Sequence, residues 1–186
     1  MALIKSISGI RGTIGGAPGA GLSPVDVVKF AAAYGTWVLQ QQKGNKIVIG
    51  RDGRISGPLV STLVSQTLVA LGIEVVDLGL STTPTVEVAV PAENAAGGII
   101  LTASHNPKEW NALKLLNHLG EFLSAADGAE VLKIAEAEAF HFVTVDKLGT
   151  ITPDNSYMQK HIDAILAYPL VDAAAIAKQQ YKIVVD

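Results

Sequence analysis

The feature that most constrains this chain is a regular exchange between two apolar periodicities. KIVIG is a short, nearly continuous apolar run of the kind a buried strand shows, PLVSTLVSQTLVALG repeats its apolar residues at helical spacing, and IEVVDLG returns to a strand. TPTVEVAVPAEN then reads as a short helix and GGIILTAS as another strand. Punctuation agrees with periodicity: PLVSTLVSQTLVALG starts on proline and ends on glycine. The earlier helix VDVVKFAAAYGTWVLQQQ opens on Ser23-Pro24, an N-cap followed by a first-turn proline. Strands and helices alternating at this interval predict an α/β fold with helices on both faces of a sheet. The expected architecture is a three-layer α/β/α sandwich with a mixed, mostly parallel sheet.

Around that centre, residues 3–7 read as a strand, followed by a glycine-dense loop, SGIRGTIGGAPGAG. GRDGRISG is a polar loop, with Ser56 before Gly57-Pro58 as the cap of the next helix. ALKLLN and the turn at Gly120 form a hairpin, SAADGAEVLKIAEAEA a helix capped by Ser124, and ITPDNSYMQKHIDAILA a further helix. Residues 168–180 read as a connector with a short alanine-rich helix, and YKIVVD as a strand. A strand placed after a linker, with nothing following it, suggests one complete domain over residues 1–167. Residues 168–186 would then be a linker and the first strand of a truncated second domain.

Composition narrows the function classes. Hydrophobic residues make up 49% of the 186 positions and charged ones 17%, with 18 glycines, which suits a folded α/β protein with many strand-helix turns. The 14 basic and 17 acidic residues form no long run of either sign, so neither nucleic acid nor an anionic membrane is expected as a partner. Without cysteine, disulfides, thiol nucleophiles and Cys-ligated zinc are excluded. MALIKSISGIRG lacks the apolar core of a signal peptide, and Lys29 interrupts the most apolar helical stretch. The expected compartment is cytoplasmic.

In α/β sheets the loops leaving the carboxyl ends of strands form the ligand crevice. SGIRG, GRDGRISG and TASHNPKEWN are such loops, and all three are candidates for one site. Adjacent residues in an extended segment point to opposite sides, so His105 is poorly placed to deprotonate Ser104, and no Gly-x-Ser-x-Gly elbow is present. Acyl transfer is therefore disfavoured. A serine can instead carry a phosphoryl group, if donors or cations absorb its charge and the loop holds it rigidly before a substrate hydroxyl. Pro107 would stiffen the turn, Asn106 could hold it by an Asx-type bond, and a hairpin could fold the Lys114 ammonium back over the site. Spacing alone fits equally well a polar turn at a strand end with a surface lysine.

Arg11, set between glycines, either clamps a phosphate or pairs with a local carboxylate. Arg51, Asp52 and Arg54 read as an internal ion-pair lattice. GGAPGAG does not fit G-x-G-x-x-G, and no G-K-[ST] follows a glycine loop. His118, His141 and His161 lack metal-ligand spacing, His161 falling on a helix face, and Glu130, Glu136 and Glu138 read as a solvated helix face.

TASHNP followed by Asn111-x-x-Lys114, and preceded by SGIRG and GRDGRISGP, resembles the first domain of the α-D-phosphohexomutase family. That family includes phosphoglucomutase, phosphomannomutase and phosphoglucosamine mutase. The motifs stand in the family's order and span most of residues 4–117. The resemblance implies a complete enzyme of four domains, the other three carrying the metal, sugar-selecting and phosphate-binding loops. Those domains of the same polypeptide would be this one's partners, and the chain alone would be inactive.

Carried over by motif position, Ser104 would be a phosphoserine that donates its phosphoryl group to a hexose phosphate substrate. The resulting hexose 1,6-bisphosphate, intermediate and activator, would reorient and return its other phosphate to Ser104. The phosphoserine would also be one ligand of Mg²⁺, with aspartates of the second domain supplying others. His105 would lie beside the substrate path. Lys114 and Arg11 match residues of acid-base assistance and phosphate binding; arginine is a poor proton donor near neutral pH, which assigns Lys114 the acid-base role and Arg11 an electrostatic one. One departure stands out: the family's N-G-x-K is Asn111-Ala112-Leu113-Lys114 here, and alanine disfavours positive φ, so Lys114 would be presented differently. The segment TASHNPKEWNALKLLN leans toward the phosphoglucomutase/phosphomannomutase members rather than the aminosugar branch. The alternative is a non-catalytic phosphosugar-binding or interaction module of the same fold. A D-G-D-x-D-R pattern downstream of Asp186 would favour the enzyme, and an immediate stop the module.

Overall fold

The computed structural model describes residues 1–6 and 9–185. Its strands are β1 (Leu3–Ser6), β2 (Gly9–Thr13), β3 (Lys46–Arg51), β4 (Glu74–Leu80), β5 (Gly97–Leu101), β6 (Trp110–Leu116) and β7 (Ile151–Pro153). The helices are α1 (Pro24–Gln40), α2 (Gly57–Ala70), α3 (Thr83–Ala92), α4 (Ala125–Ala137), α5 (Tyr157–Leu166) and α6 (Ala173–Gln179). Among the described residues these strands join one sheet in the order β1-β2-β6-β5-β3-β4-β7.

Helices flank both faces, as the alternating pattern predicts. On one face Phe30, Tyr34, Val64, Leu68 and Ile134 bury Ile47, Ile49, Ile99, Leu101, Leu113 and Leu115. On the other, Val86, Val90 and Tyr157 pack on Val48, Val76, Ile100 and Leu116. Every residue of β5 is buried, which explains its unbroken apolar run. Tyr34 crosses to the strand ends, its hydroxyl 2.7 Å from the Leu116 carbonyl and 3.1 Å from that of Gly98, and burial pushes its pKa well up. A Cβ at Gly97 would lie 2.2 Å from that hydroxyl, so the glycine makes room for the tyrosine.

The sheet is mixed but not mostly parallel. β3 pairs in parallel with β4 and β5, and β4 with β7; β1/β2, β2/β6 and β5/β6 are antiparallel. Connection length accounts for the antiparallel pairs β1/β2 and β5/β6, since parallel neighbours need a crossover while a short connection folds the chain straight back; β2/β6 instead joins strands far apart in sequence. No helix lies between β5 and β6, so β6 returns antiparallel.

Several elements differ from expectation. Residues 9–13, expected in a loop, form β2 against β6. Gly9 permits this: it holds φ +132°, and a Cβ there would stand 2.2 Å from the Leu113 carbonyl oxygen. Positions 7 and 8, part of the expected first strand and first loop, lie outside the described residues. Residues 151–153, expected to be helical, pair with β4 before α5 begins at Tyr157. Residues 181–185 join no strand among the described residues, and Ile183, Val184 and Val185 are exposed. Apolar alternation gives a strand only when its backbone groups find a partner.

The expected caps divide two to one. Ser23 forms a capping box with Asp26 at α1, and Ser124 accepts from the Asp127 amide at α4. Ser56 stands at the start of α2 without capping it, because its backbone is already helical (φ −78°, ψ −8°). No helix among the described residues is long and apolar enough to cross a membrane.

Candidate functional site

Alternation along β6 sorts its side chains. Leu113 and Leu115 enter the first core and Leu116 the second, so Ala112 and Lys114 share the face of Leu116. Arg11 on β2 is paired with Ala112, which puts it on that face as well. The helix α3 packs over β3 and β5, and α5 lies against α3. Over β2 and β6 the same face carries a cleft of about 220 Å³ lined by Ser6, Gly9, Arg11, Ala112, Leu113 and Lys114. Among the described residues two cations and no carboxylate line it, so its field favours an anion. The Lys114 ammonium lies 5.9 Å from the centre of the Phe122 ring.

The β5–β6 loop starts at this level, where the Thr102 amide donates to the Ala112 carbonyl (3.3 Å). Ser104 is exposed and holds φ +54°, a left-handed conformation that costs a non-glycine residue roughly 1–2 kcal/mol. The loop satisfies its own backbone around that residue. The Ser104 amide donates to Thr102 Oγ1 (3.1 Å), and both the backbone and side-chain amides of Asn106 donate to the Ala103 carbonyl (3.0 and 2.8 Å). Asn106 thus holds the turn, but as a donor to the Ala103 carbonyl and not through the expected Asx-type bond, in which its side-chain oxygen would accept. The premise of an extended Ser104-His105 pair is replaced by this left-handed turn.

Arg54 dominates the loop's outer contacts. Its Nη1 donates to the carbonyls of Pro107 (2.8 Å) and Trp110 (3.0 Å), its Nη2 to those of Ser104 and Asn106 (both 2.7 Å). Its Nε lies 3.2 Å from Asp52 Oδ2, while Asp52 Oδ1 accepts from the Arg54 amide at 3.0 Å. The expected ion-pair lattice is therefore present between Asp52 and Arg54. Arg51 donates to the Asp52 backbone carbonyl (3.3 Å) instead of its carboxylate. Asn111, fully buried, braces the far side: its Nδ2 donates to Ser56 Oγ (2.9 Å) and its Oδ1 accepts from the Ala112 amide (2.8 Å).

Of the four expected site residues, the fold brings Arg11 and Lys114 together in the cleft. Ser104 and His105 stand exposed on the neighbouring loop and are not among the lining residues. Ala112 lies in regular β6 and not at positive φ, so the departure from N-G-x-K leaves Lys114 on an ordinary strand. His161 lies on α5, its Nδ1 3.0 Å from Thr85 Oγ1. Sequence reasoning missed Arg54 as the loop's anchor, because the carbonyls it reaches lie 50 to 56 residues away. It also missed Thr102 and Asn111, whose neighbours in sequence carry no signal of these bonds.

Among the described residues no group of three or more His, Cys, Asp or Glu side chains could hold a metal ion. The donors present do not by themselves fit a Mg²⁺ site.

Comparison with known proteins agrees with the fold. Residues 3–142 match the family model described as phosphoglucomutase/phosphomannomutase, alpha/beta/alpha domain I. A phosphoglucomutase/phosphomannomutase of Thermococcus kodakarensis is 33% identical over 166 residues, covering 89% of this chain and 36% of the relative. A phosphoglucosamine/phosphogalactosamine mutase of Sulfurisphaera tokodaii is 29% identical, covering 100% of this chain and 39% of its own length. The chain thus spans little more than a third of these relatives, and their names divide between the two sugar branches, giving no support to the lean toward one. A crystal structure of a phosphoglucomutase/phosphomannomutase family protein from Burkholderia thailandensis shares the fold, with a TM-score of 0.73 at 24% identity over 89% of this chain and 35% of that one. With the serine loop, the cationic cleft beside it and the match over residues 3–142, the chain belongs to the phosphoglucomutase/phosphomannomutase family and carries its α/β/α domain I.

Proposed function

We propose that this domain is the phosphoryl carrier of a phosphohexomutase, with Ser104 Oγ as the atom that holds the group. The observation that carries the reading is an exposed serine, fixed at φ +54° in a braced loop, beside a cleft that presents Arg11 and Lys114 and, among the described residues, no carboxylate. In the forward step the bond from phosphorus to Ser104 Oγ breaks and one to a sugar hydroxyl oxygen forms, yielding a hexose 1,6-bisphosphate. Return of the other phosphate regenerates phosphoserine.

On this reading Arg11, permanently charged, grips phosphate oxygens, and Lys114 Nζ handles the hydroxyl proton. His105, exposed on the loop, flanks the incoming sugar. Mg²⁺ would supply charge neutralisation at the transferring phosphoryl group, with the phosphoserine oxygen as this chain's contribution and the remaining ligands from other domains of the polypeptide.

The test uses the intact polypeptide that contains this domain, with glucose 1,6-bisphosphate as activator. Ser104→Ala abolishes turnover on this reading; turnover near that of the parent overturns it. Binding of hexose phosphate without any phosphoryl on Ser104 would instead identify a non-catalytic module.

A further inference from the structure

We infer that Arg54 is a positioning residue for the phosphoryl-carrying serine, acting through the backbone of the loop and not through the substrate. The inference rests on the reading of Ser104 as carrier. A guanidinium has five N–H donors in one rigid plane. Here five acceptors meet them: the carbonyls of Ser104, Asn106, Pro107 and Trp110, and Asp52 Oδ2. A side chain so engaged has no donor left for a phosphate, which separates it from Arg11 in the cleft.

What Arg54 supplies is orientation. Four carbonyls from residues 104–110 converge on one cation, so the loop's backbone dipoles turn inward and the side chain of Ser104 is left exposed to solvent. The Ser104 carbonyl itself is among those held, at the residue that carries the left-handed backbone. Asp52 fixes the fork in turn, through its contacts with both the Arg54 amide and Nε, and the Arg54 side chain is only 12% exposed. Lysine, a point charge with three rotatable donors, cannot satisfy four carbonyls and a carboxylate in one plane. A phosphoryl carrier must stand in line with the attacking oxygen, and a misplacement of about 1 Å can cost on the order of 10²-fold in rate.

Arg54→Lys, Arg54→Gln and Ser104→Ala are compared in the intact polypeptide, with mutase kinetics and amide hydrogen exchange measured on each. Both Arg54 variants are expected to lose roughly 10²-fold in kcat with KM unchanged. Exchange in residues 104–110 should accelerate while β3 and β5 keep parental protection. Parental kcat in the Arg54 variants, alongside an inactive Ser104→Ala, overturns the inference and leaves the carrier reading intact. Equal loss of protection in the loop and in β3 and β5 also overturns it, since Arg54 would then be holding the whole domain. An active Ser104→Ala overturns the carrier reading, and the inference falls with it.

Discussion

The two faces of the sheet are finished differently. Beneath α1, α2 and α4 the first face is sealed from β2 across to β4, with Ile10, Ile49, Leu101, Leu113 and Val75 in a single core. On the second face α3 and α5 cover β3, β4 and β5, and the region over β2 and β6 is left as the cleft with Arg11 and Lys114. Strand β6 takes part in both: Leu113 is fully buried, and the next residue lines the cleft. One face of a strand can thus be spent on stability and the other left to a cationic cleft, because successive side chains point opposite ways.

Substitutions at neighbouring positions test that division. Leu113→Ala should have the largest effect, a loss of about 3 kcal/mol in urea unfolding, since it empties a fully buried site that strands and helices cannot easily collapse to fill. Loss of well under 1 kcal/mol would mean that the sealed face is less tightly packed than its burial indicates.

Tyr157→Phe should cost about 1 kcal/mol by removing the hydroxyl that donates to Glu93 Oε1 at 2.6 Å and docks α5 on α3. The same pair sets a pH signature. Glu93 is held below its ordinary pKa, first by the Tyr157 hydroxyl and then by Lys46. A carboxyl depressed in the folded state contributes stability above its unfolded pKa and loses that contribution as pH falls through the folded value. Tyr157 is raised above the ordinary tyrosine value by burial and by Glu93, so its contribution is full below about pH 10 and fades as pH rises beyond that. Unfolding curves from acid to alkali should therefore lose stability at both ends, and Tyr157→Phe should flatten both; unchanged curves would show that α5 docks by other means.

Lys114→Met should be smallest in stability, within about 0.5 kcal/mol, while, on the proposed function, sharply lowering turnover of the intact polypeptide. If it destabilised as much as Leu113→Ala, the open half of the second face would be structural and the contrast would fail.

Much of the fold was legible from periodicity and punctuation. Ser23-Pro24 marked the start of α1 and Ser124 that of α4, and KIVIG, IEVVDLG and GGIIL gave the parallel centre of the sheet. These signals are local, each depending on a single residue's φ or on one turn of helix. Residues 9–13 escaped because a strand of glycines around one arginine has no alternation to read; their pairing with β6 makes them a strand. The three residues of β7 were too few to show a period.

The site divides the same way. Ser104, Arg11 and Lys114 could be named as candidates from the family resemblance their motifs carry, and Asn106 from the habit of short polar side chains to close turns. That Arg11 and Lys114 would share a face depended on the register of β2 against β6, which places Arg11 beside Ala112. That Arg54 would fasten the serine loop depended on the approach of two loops some fifty residues apart.

The sequence by itself determined the alternation of strands and helices, the caps that start α1 and α4, and the polar turn at the end of β5, because each follows from side-chain period and local backbone preference. Only the tertiary structure decided the even mixture of parallel and antiparallel pairs, the cleft on the uncovered half of one face, and the convergence of four carbonyls on Arg54. Those features are set by register and by long-range hydrogen bonds, which exist only once the layers have closed on one another.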